Sequence, residues 1–305
     1  MSVTLNMSTT KAGVPWRKWV LRGVAGAFLL GALTTWIAGG ALCVPHQHPV
    51  AKPKDLAVED VIITNASGGK LHGWLAGPTL NRGVIILQHG VRTDRTTVLN
   101  RAQLFTRAGY GVLLYDFQAH GESPGRAITF GWQESRDAQA AVAFVKARFP
   151  GHPIGVDGVS LGAAAAVLAD PPLEVQGLVL EMMYPTIVDA TKDRIGMRLG
   201  PAGRWLSPLL TAQLRLRLGC GPEELRPIDH VGRLTVPKLF LAGTADRETP
   251  LSEAQWIVDT AAEPKQLVTF AGAKHEDLCR YAPEQFATNV LAFFERYLTT
   301  NSLPR

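Results

Sequence analysis

The stretch Ile154-Gly-Val-Asp-Gly-Val-Ser160-Leu-Gly-Ala-Ala-Ala-Ala166 decides the architecture. Ile154 to Val159 is a short, mostly apolar run suited to a strand at the centre of a sheet. Ala163 to Ala169 is strongly helix-forming and is stopped by Asp170-Pro171-Pro172. Between them stands Gly158-Val159-Ser160-Leu161-Gly162, a G-x-S-x-G pattern. A serine on a sharp turn from strand to helix must take a strained backbone, and glycines on either side remove the Cβ atoms that would collide with it. The hydroxyl is then held out at the end of the sheet. A structural serine in a Gly-rich turn is the plain alternative, and residues further along the chain decide between the two.

Working outward, the same alternation of strand and helix continues in both directions. Val58 to Thr64 and Leu71 to Ala76, joined by Asn65-Ala-Ser-Gly-Gly69, read as an opening hairpin. Gly83 to Gln88 is a buried strand ending at His89-Gly90, a helix is expected over Val98 to Ala108, and Gly111 to Tyr115 is the next strand. Glu134 to Phe149 has apolar residues at helical spacing and is stopped by Pro150-Gly151. After the elbow come strands at Val175 to Glu181, Pro237 to Ala242 and Gln266 to Phe270, with helices at Ser252 to Ala262 and Pro283 to Thr299. Such alternation predicts an α/β domain with a mostly parallel sheet covered on both faces. Ligands of such sheets bind beyond the carboxyl ends of the strands.

Three of those strand ends are followed by a reactive group: Ser160 after the elbow strand, Asp246 after Leu239-Phe-Leu-Ala-Gly243, and His275 after Leu267-Val-Thr-Phe270. In order and spacing the chain resembles the α/β-hydrolase superfamily over roughly residues 55 to 300, in particular its lysophospholipase-like and serine-aminopeptidase-like members. Gly-Thr-Ala-Asp246 and Gly-Ala-Lys-His275 resemble its acid and histidine loops. Asp116 to Ser123 resembles its D-x-R-G-H-G-x-S stretch, with Gln118 and Ala119 departing from the pattern, so nothing catalytic is assigned there.

The resemblance implies Ser160 as nucleophile, His275 as general base and then acid, and Asp246 as the group that fixes the imidazole tautomer. It also implies an oxyanion hole made by the backbone N–H groups of Val91 and Leu161. Glu181 is the substitute acid. His89 and His120 are alternative bases, read instead as shaping their loops, and Asp277 is too near His275 in sequence to orient its ring easily. Arg92 and Arg95 are read as solvated loop charges that could touch substrate.

Between Glu181 and Val236 the alternation is interrupted, and a cap is expected at about 182–235. From Lys192 to Leu218, Lys192, Arg194, Arg198, Arg204, Arg215 and Arg217 face a single acid, Asp193, among Trp205 and many leucines. Such a cap could lie on an anionic membrane or admit an acyl chain; an ordinary packed cap with solvated arginines is the alternative.

From Gly23 to Ala51 there is no Asp, Glu, Lys or Arg, and residues 23–44 are long enough to cross a hydrocarbon layer of ~30 Å. Lys11, Arg17, Lys18 and Arg22 precede this stretch, with Trp16 and Trp19 as interfacial anchors, so residues 1–22 are expected in the cytoplasm and the catalytic domain outside. A cleaved signal peptide ending near Ala38-Gly39-Gly40 is the rival reading. Residues 45–54, with three prolines, read as a linker to a domain at 55–305.

The formal charge of +5 does not indicate a nucleic-acid partner, because outside residues 1–22 the chain carries 27 basic against 26 acidic residues. Cys43, Cys220 and Cys279 fit no C-x-x-C pattern, and a Cys220–Cys279 disulfide stays open. His46 and His48 lack further ligands nearby, so no metal or cofactor is expected. The expected function is hydrolysis of a carboxylic, thio- or lipid acyl ester through a Ser-His-Asp triad. A peptidase and a non-catalytic membrane-attached module are the alternatives. Haloalkane dehalogenation is disfavoured, because in this fold it needs a carboxylate where Ser160 stands.

Overall fold

The computed structural model describes residues 16–79 and 82–298; the lead before Trp16 and Thr299 lie outside the described residues. The first element is α1 (Trp16–Cys43), 28 residues whose side chains are nearly all exposed until its last turns. It is the single helix among the described residues long and apolar enough to cross a membrane. A two-residue strand β1 (His46–Gln47) follows, then the hairpin β2 (Glu59–Thr64) and β3 (Lys70–Ala76), β4 (Val84–Gln88), α2 (Leu99–Arg107), β5 (Gly111–Tyr115), β6 (His120–Gly121) and α3 (Glu134–Arg148). The elbow joins β7 (Ile154–Val159) to α4 (Leu161–Leu168), and β8 (Gly177–Glu181) leads to the short helices α5 (Ile187–Leu199), α6 (Ser207–Thr211), α7 (Leu214–Leu218) and α8 (Pro227–Val231). The chain returns through β9 (Lys238–Gly243), α9 (Leu251–Thr260), β10 (Lys265–Phe270), α10 (Leu278–Tyr281) and α11 (Pro283–Tyr297).

Eight strands form one sheet in the order β10-β9-β8-β7-β4-β5-β3-β2, parallel except where β3 meets β2 and β5. Burial follows position. β4, β5, β8 and β9 are buried along their whole length, whereas the edge strand β2 alternates exposed and buried residues after its first pair. Apolar side chains of α3, α4, α8 and α9 pack on one face; those of α2, α10 and α11 pack on the other. The elbow strand thus lies between β4 and β8 near the centre of the sheet, with both of its faces covered. The insertion between β8 and β9 is helical throughout its regular parts, and its Arg194 pairs at 3.1 Å with Glu248 in the loop that carries Asp246.

Two readings meet the structure here. The stretch from Pro45 to Lys54, read as a spacer from its prolines, is tied to the domain: β1 pairs in parallel with β6, His46 N–H donates to Ala119 O at 2.7 Å, and His48 N–H to Gly121 O at 2.8 Å. The three cysteines are free and buried, with Cys43 and Cys220 in the cluster under the cap and Cys279 in the core on the α11 side of the sheet. The sheet and its helices separate Cys220 from Cys279.

Candidate active site

Parallel pairing sets the strand ends level. Val159 is paired with Glu181, Glu181 with Leu241 and Leu241 with Val268. The ladder continues past the strands, since Ser160 N–H donates to Glu181 O at 2.8 Å, Met182 N–H to Leu241 O at 2.8 Å, and Thr244 N–H to Phe270 O at 3.0 Å. Ser160, Asp246 and His275 therefore all emerge from one edge of the sheet.

Ser160 takes φ 52° and ψ −105°, a left-handed conformation that costs a side-chain-bearing residue about 1–3 kcal/mol. Its neighbours explain how this is tolerated. A Cβ on Gly158 would stand 2.7 Å from Ala163 N, and one on Gly162 would stand 2.7 Å from Gln88 Cβ, so the turn closes only with glycine at both positions.

Asp246 and His275 meet: His275 Nδ1 lies 2.8 Å from Asp246 Oδ2. The same carboxylate accepts from the backbone N–H groups of Glu248 at 2.8 Å and Thr249 at 3.0 Å, and from Thr249 Oγ1 at 2.7 Å. Burial alone would raise its pKa, but the His275 ring and the Thr249 bonds outweigh burial and hold it below the usual carboxylate value. An ionised carboxylate only accepts, so the imidazole proton sits on Nδ1 and Nε2 is left as the acceptor. Ser160 Oγ and His275 share no hydrogen bond here; such contacts often close only around a bound substrate.

The loop after β4 is shaped by His89. Its Nδ1 donates to Gly90 O at 2.7 Å while its Nε2 accepts from Phe117 N–H at 3.1 Å, and burial lowers its pKa to about 4. The neutral ring fixes the path of Gly90 and Val91, and a Cβ built on Gly90 would stand 3.9 Å from Ser160 Cβ. Among the described residues, the N–H groups of Val91 and Leu161 donate to no protein acceptor.

Known proteins resemble the chain in sequence and in fold. A family model described as serine aminopeptidase, S33, matches residues 79–196. YqkD of Bacillus subtilis, an uncharacterized protein, is 25% identical over 70% of this chain and 72% of its own. Human monoglyceride lipase is 25% identical over 75% of this chain and 88% of its own. Among solved structures, the Pyrococcus furiosus esterase Pf2001 superposes with a TM-score of 0.68 at 24% identity, covering 82% of this chain and 96% of that one. The chain has the α/β-hydrolase fold.

The other candidates are engaged elsewhere. Glu181, the substitute acid, forms a bidentate pair with Arg101 at 2.6 and 2.7 Å. Asp277 accepts from Arg101 Nη1 at 2.7 Å and caps α10 through Cys279 N–H at 3.0 Å, away from the His275 ring. His120 Nδ1 bonds to Gln118 O at 2.9 Å, and burial lowers its pKa to about 4. Arg95 corrects its sequence reading: it is buried, paired with Asp116 and Glu122, and stacked over Trp74 at 4.2 Å, so it meets no solvent or substrate. Arg92 is exposed and donates to Ala41 O at 3.2 Å. Among the described residues, no group of three or more His, Cys, Asp or Glu is arranged to hold a metal ion.

Two residues escape sequence reasoning. Thr249 gives Asp246 a third donor and also lies 3.4 Å from His275 Nδ1. Arg101 ties α2 to the end of β8 and to the loop carrying His275, in a cluster that includes the buried Asp157 at 4.0 Å. Burial, then the Glu181 charge, pushes the Asp157 carboxyl well above the usual range. The single visible signal was an aspartate inside an apolar strand. Ser160 itself is only 3% exposed, and two open clefts of the domain, one lined by Leu75, Thr106 and Tyr110 and another by Gln118, Arg126 and Arg217, lie apart from Ser160, Asp246 and His275.

Proposed function

We propose that this α/β-hydrolase is a serine hydrolase that cleaves carboxylic ester bonds, lipid acyl esters included, through an acyl-enzyme intermediate. The observation that carries the reading is the 2.8 Å His275–Asp246 bond at the same sheet edge as the strained Ser160. His275 Nε2 takes the Ser160 proton as Oγ attacks the carbonyl carbon, and the imidazolium that forms is stabilised by the ionised Asp246. The tetrahedral oxyanion is held by the free N–H groups of Val91 and Leu161, each such donor contributing ~3 kcal/mol to the transition state. His275 then protonates the leaving alcohol, and water, activated by the same ring, releases the acid. Because Ser160 is almost covered, substrate reaches it when the cap over the sheet edge shifts.

The 28-residue helix α1 is assigned as a retained membrane anchor, with the amino terminus cytoplasmic and the catalytic domain on the other side. The match to the serine aminopeptidase model favours a second reading, peptide hydrolysis by the same three residues. Turnover of p-nitrophenyl esters of graded chain length, measured beside aminoacyl p-nitroanilides, separates the two. The ester reading expects hydrolysis of the esters, lost in His275→Ala. Cleavage of the anilides alone would favour the peptidase, and turnover of neither would leave a non-catalytic module.

A further inference from the structure

We infer that the cap and the end of α1 form one surface that seats in the lipid interface on the catalytic domain's side, so that the substrate is an acyl ester drawn from that leaflet. The inference rests on the hydrolase reading for its substrate and on three structural observations for its surface. First, the anchor and the cap are packed together. Arg217 donates to Trp36 O and stacks 3.8 Å over the Trp36 ring. A Cβ on Gly39 would stand 2.7 Å from Gln213 Oε1 and one on Gly40 3.0 Å from Arg217 Nη1, so this glycine pair admits the cap. Cys43 is buried with Leu168, Ile187, Leu214 and Leu218, and its carbonyl accepts from Ile128 N–H at 2.9 Å. The small residues that suggested a cleavage site are thus an interface.

Second, the contact fixes the depth of the cap. Trp36 lies 20 residues, about 30 Å of helix, beyond Trp16, which matches the spacing of the two aromatic belts of a bilayer when Arg17, Lys18 and Arg22, in the first two turns, extend their long side chains back to the cytoplasmic headgroups. With Trp36 at the outer belt, Arg217 lies at headgroup level, and the seven residues from there to Cys43 run about 10 Å further alongside the cap. Third, the cap leaves large apolar side chains uncovered: Trp205 is 85% exposed, Leu216 81%, Leu199 64% and Leu209 54%. Leu209 sits on α6, which packs against α1, and Leu216 precedes Arg217. Arg198, exposed and without an ion-pair partner among the described residues, adds positive charge that suits anionic headgroups.

The surface also adjoins the site. Arg92, next to Val91, donates to Ala41 O at 3.2 Å and Val44 O at 3.5 Å, so the loop offered as half of the oxyanion hole is fastened to the end of the anchor. An acyl ester can then reach Ser160 without its chain crossing bulk water.

The test uses the full chain in vesicles of phosphatidylcholine and phosphatidylglycerol, with and without brominated acyl chains. The emission difference between the wild type and Trp205→Phe reports Trp205 alone; it should be quenched by the brominated lipid, and an unquenched difference overturns the seating whether or not the protein has activity. A Trp205→Asp/Leu216→Asp variant should lose at least about tenfold in kcat/KM on a long-chain monoacyl ester carried in vesicles while p-nitrophenyl butyrate turnover stays within about twofold. Equal loss on both substrates, or no loss on either, overturns leaflet uptake. If the wild type cleaves neither ester, the hydrolase reading fails and the quenching result still decides the seating.

Discussion

Replacing Ser160 by glycine and by alanine separates strain from chemistry, since both changes remove the hydroxyl and only one removes the Cβ. At φ 52° and ψ −105° the Cβ costs about 1–3 kcal/mol, and glycine releases that cost. Glycine also loses about 0.5–1 kcal/mol more backbone entropy on folding than alanine. The balance predicts that Ser160→Gly is more stable than Ser160→Ala by about 1 kcal/mol, or roughly 2–4 °C in Tm for a domain of this size. Urea unfolding of the full chain in detergent micelles, followed by tryptophan emission, measures the difference through the midpoint at constant slope. An unstrained position would give the opposite sign, with alanine ahead by about 0.4–1 kcal/mol. That sign would refute the strained elbow.

Other outcomes follow from the same structure. Asp246→Asn keeps the acceptor for Glu248 N–H but no longer fixes the His275 tautomer, so kcat on a p-nitrophenyl ester should fall roughly 10⁴-fold with folding intact; an unchanged kcat would remove Asp246 from the mechanism. Arg101→Met leaves Glu181 buried and unpaired, and denaturant unfolding should register a loss of about 3–5 kcal/mol, partly recovered in Arg101→Met/Glu181→Gln. Glu253 is pushed up to about 8 by burial and then by the neighbouring Asp193 carboxyl, so between its ordinary 4.5 and about 8 the folded chain holds a proton that the unfolded chain has lost. Stability should therefore fall as pH rises through that window, and Tm measured across it, from about pH 5 to 8, should decline less in Glu253→Gln than in the wild type. A reporter fused after Arg305 should be active outside the cytoplasm; cytoplasmic activity would reverse the assigned orientation.

What the sequence could reveal was set by the range of the interactions involved. The elbow strand Ile154–Val159 has the same bounds by pattern and by structure, because six consecutive residues carry the apolar signal and the glycines end it. The pairing of Asp246 with His275 was legible because each follows an apolar run and adjacent parallel strands bring their ends together. Helix starts were less legible: Asp94 caps a 3₁₀ turn at Arg95–Val98, so α2 begins at Leu99 and not at Val98. The two buried arginines were not legible at all. Arg95 and Arg101 look like surface charges locally, and their carboxylate partners, Asp116, Glu181 and Asp277, lie 21, 80 and 176 residues further along the chain. The docking of β1 on β6 was hidden for a similar reason, since two residues of parallel pairing leave no periodicity. Composition described the prolines between Pro45 and Lys54 and could not describe the groove that receives them.

The central claim is that the Ser160 hydroxyl is an activated nucleophile. Treatment of the full-length protein with a fluorophosphonate, followed by peptide mass spectrometry, tests it most directly. The account predicts one stoichiometric adduct on the peptide containing Ser160, absent in Ser160→Ala and strongly slowed in His275→Ala. An unlabelled wild-type protein, or an adduct on another residue that survives Ser160→Ala, would contradict it.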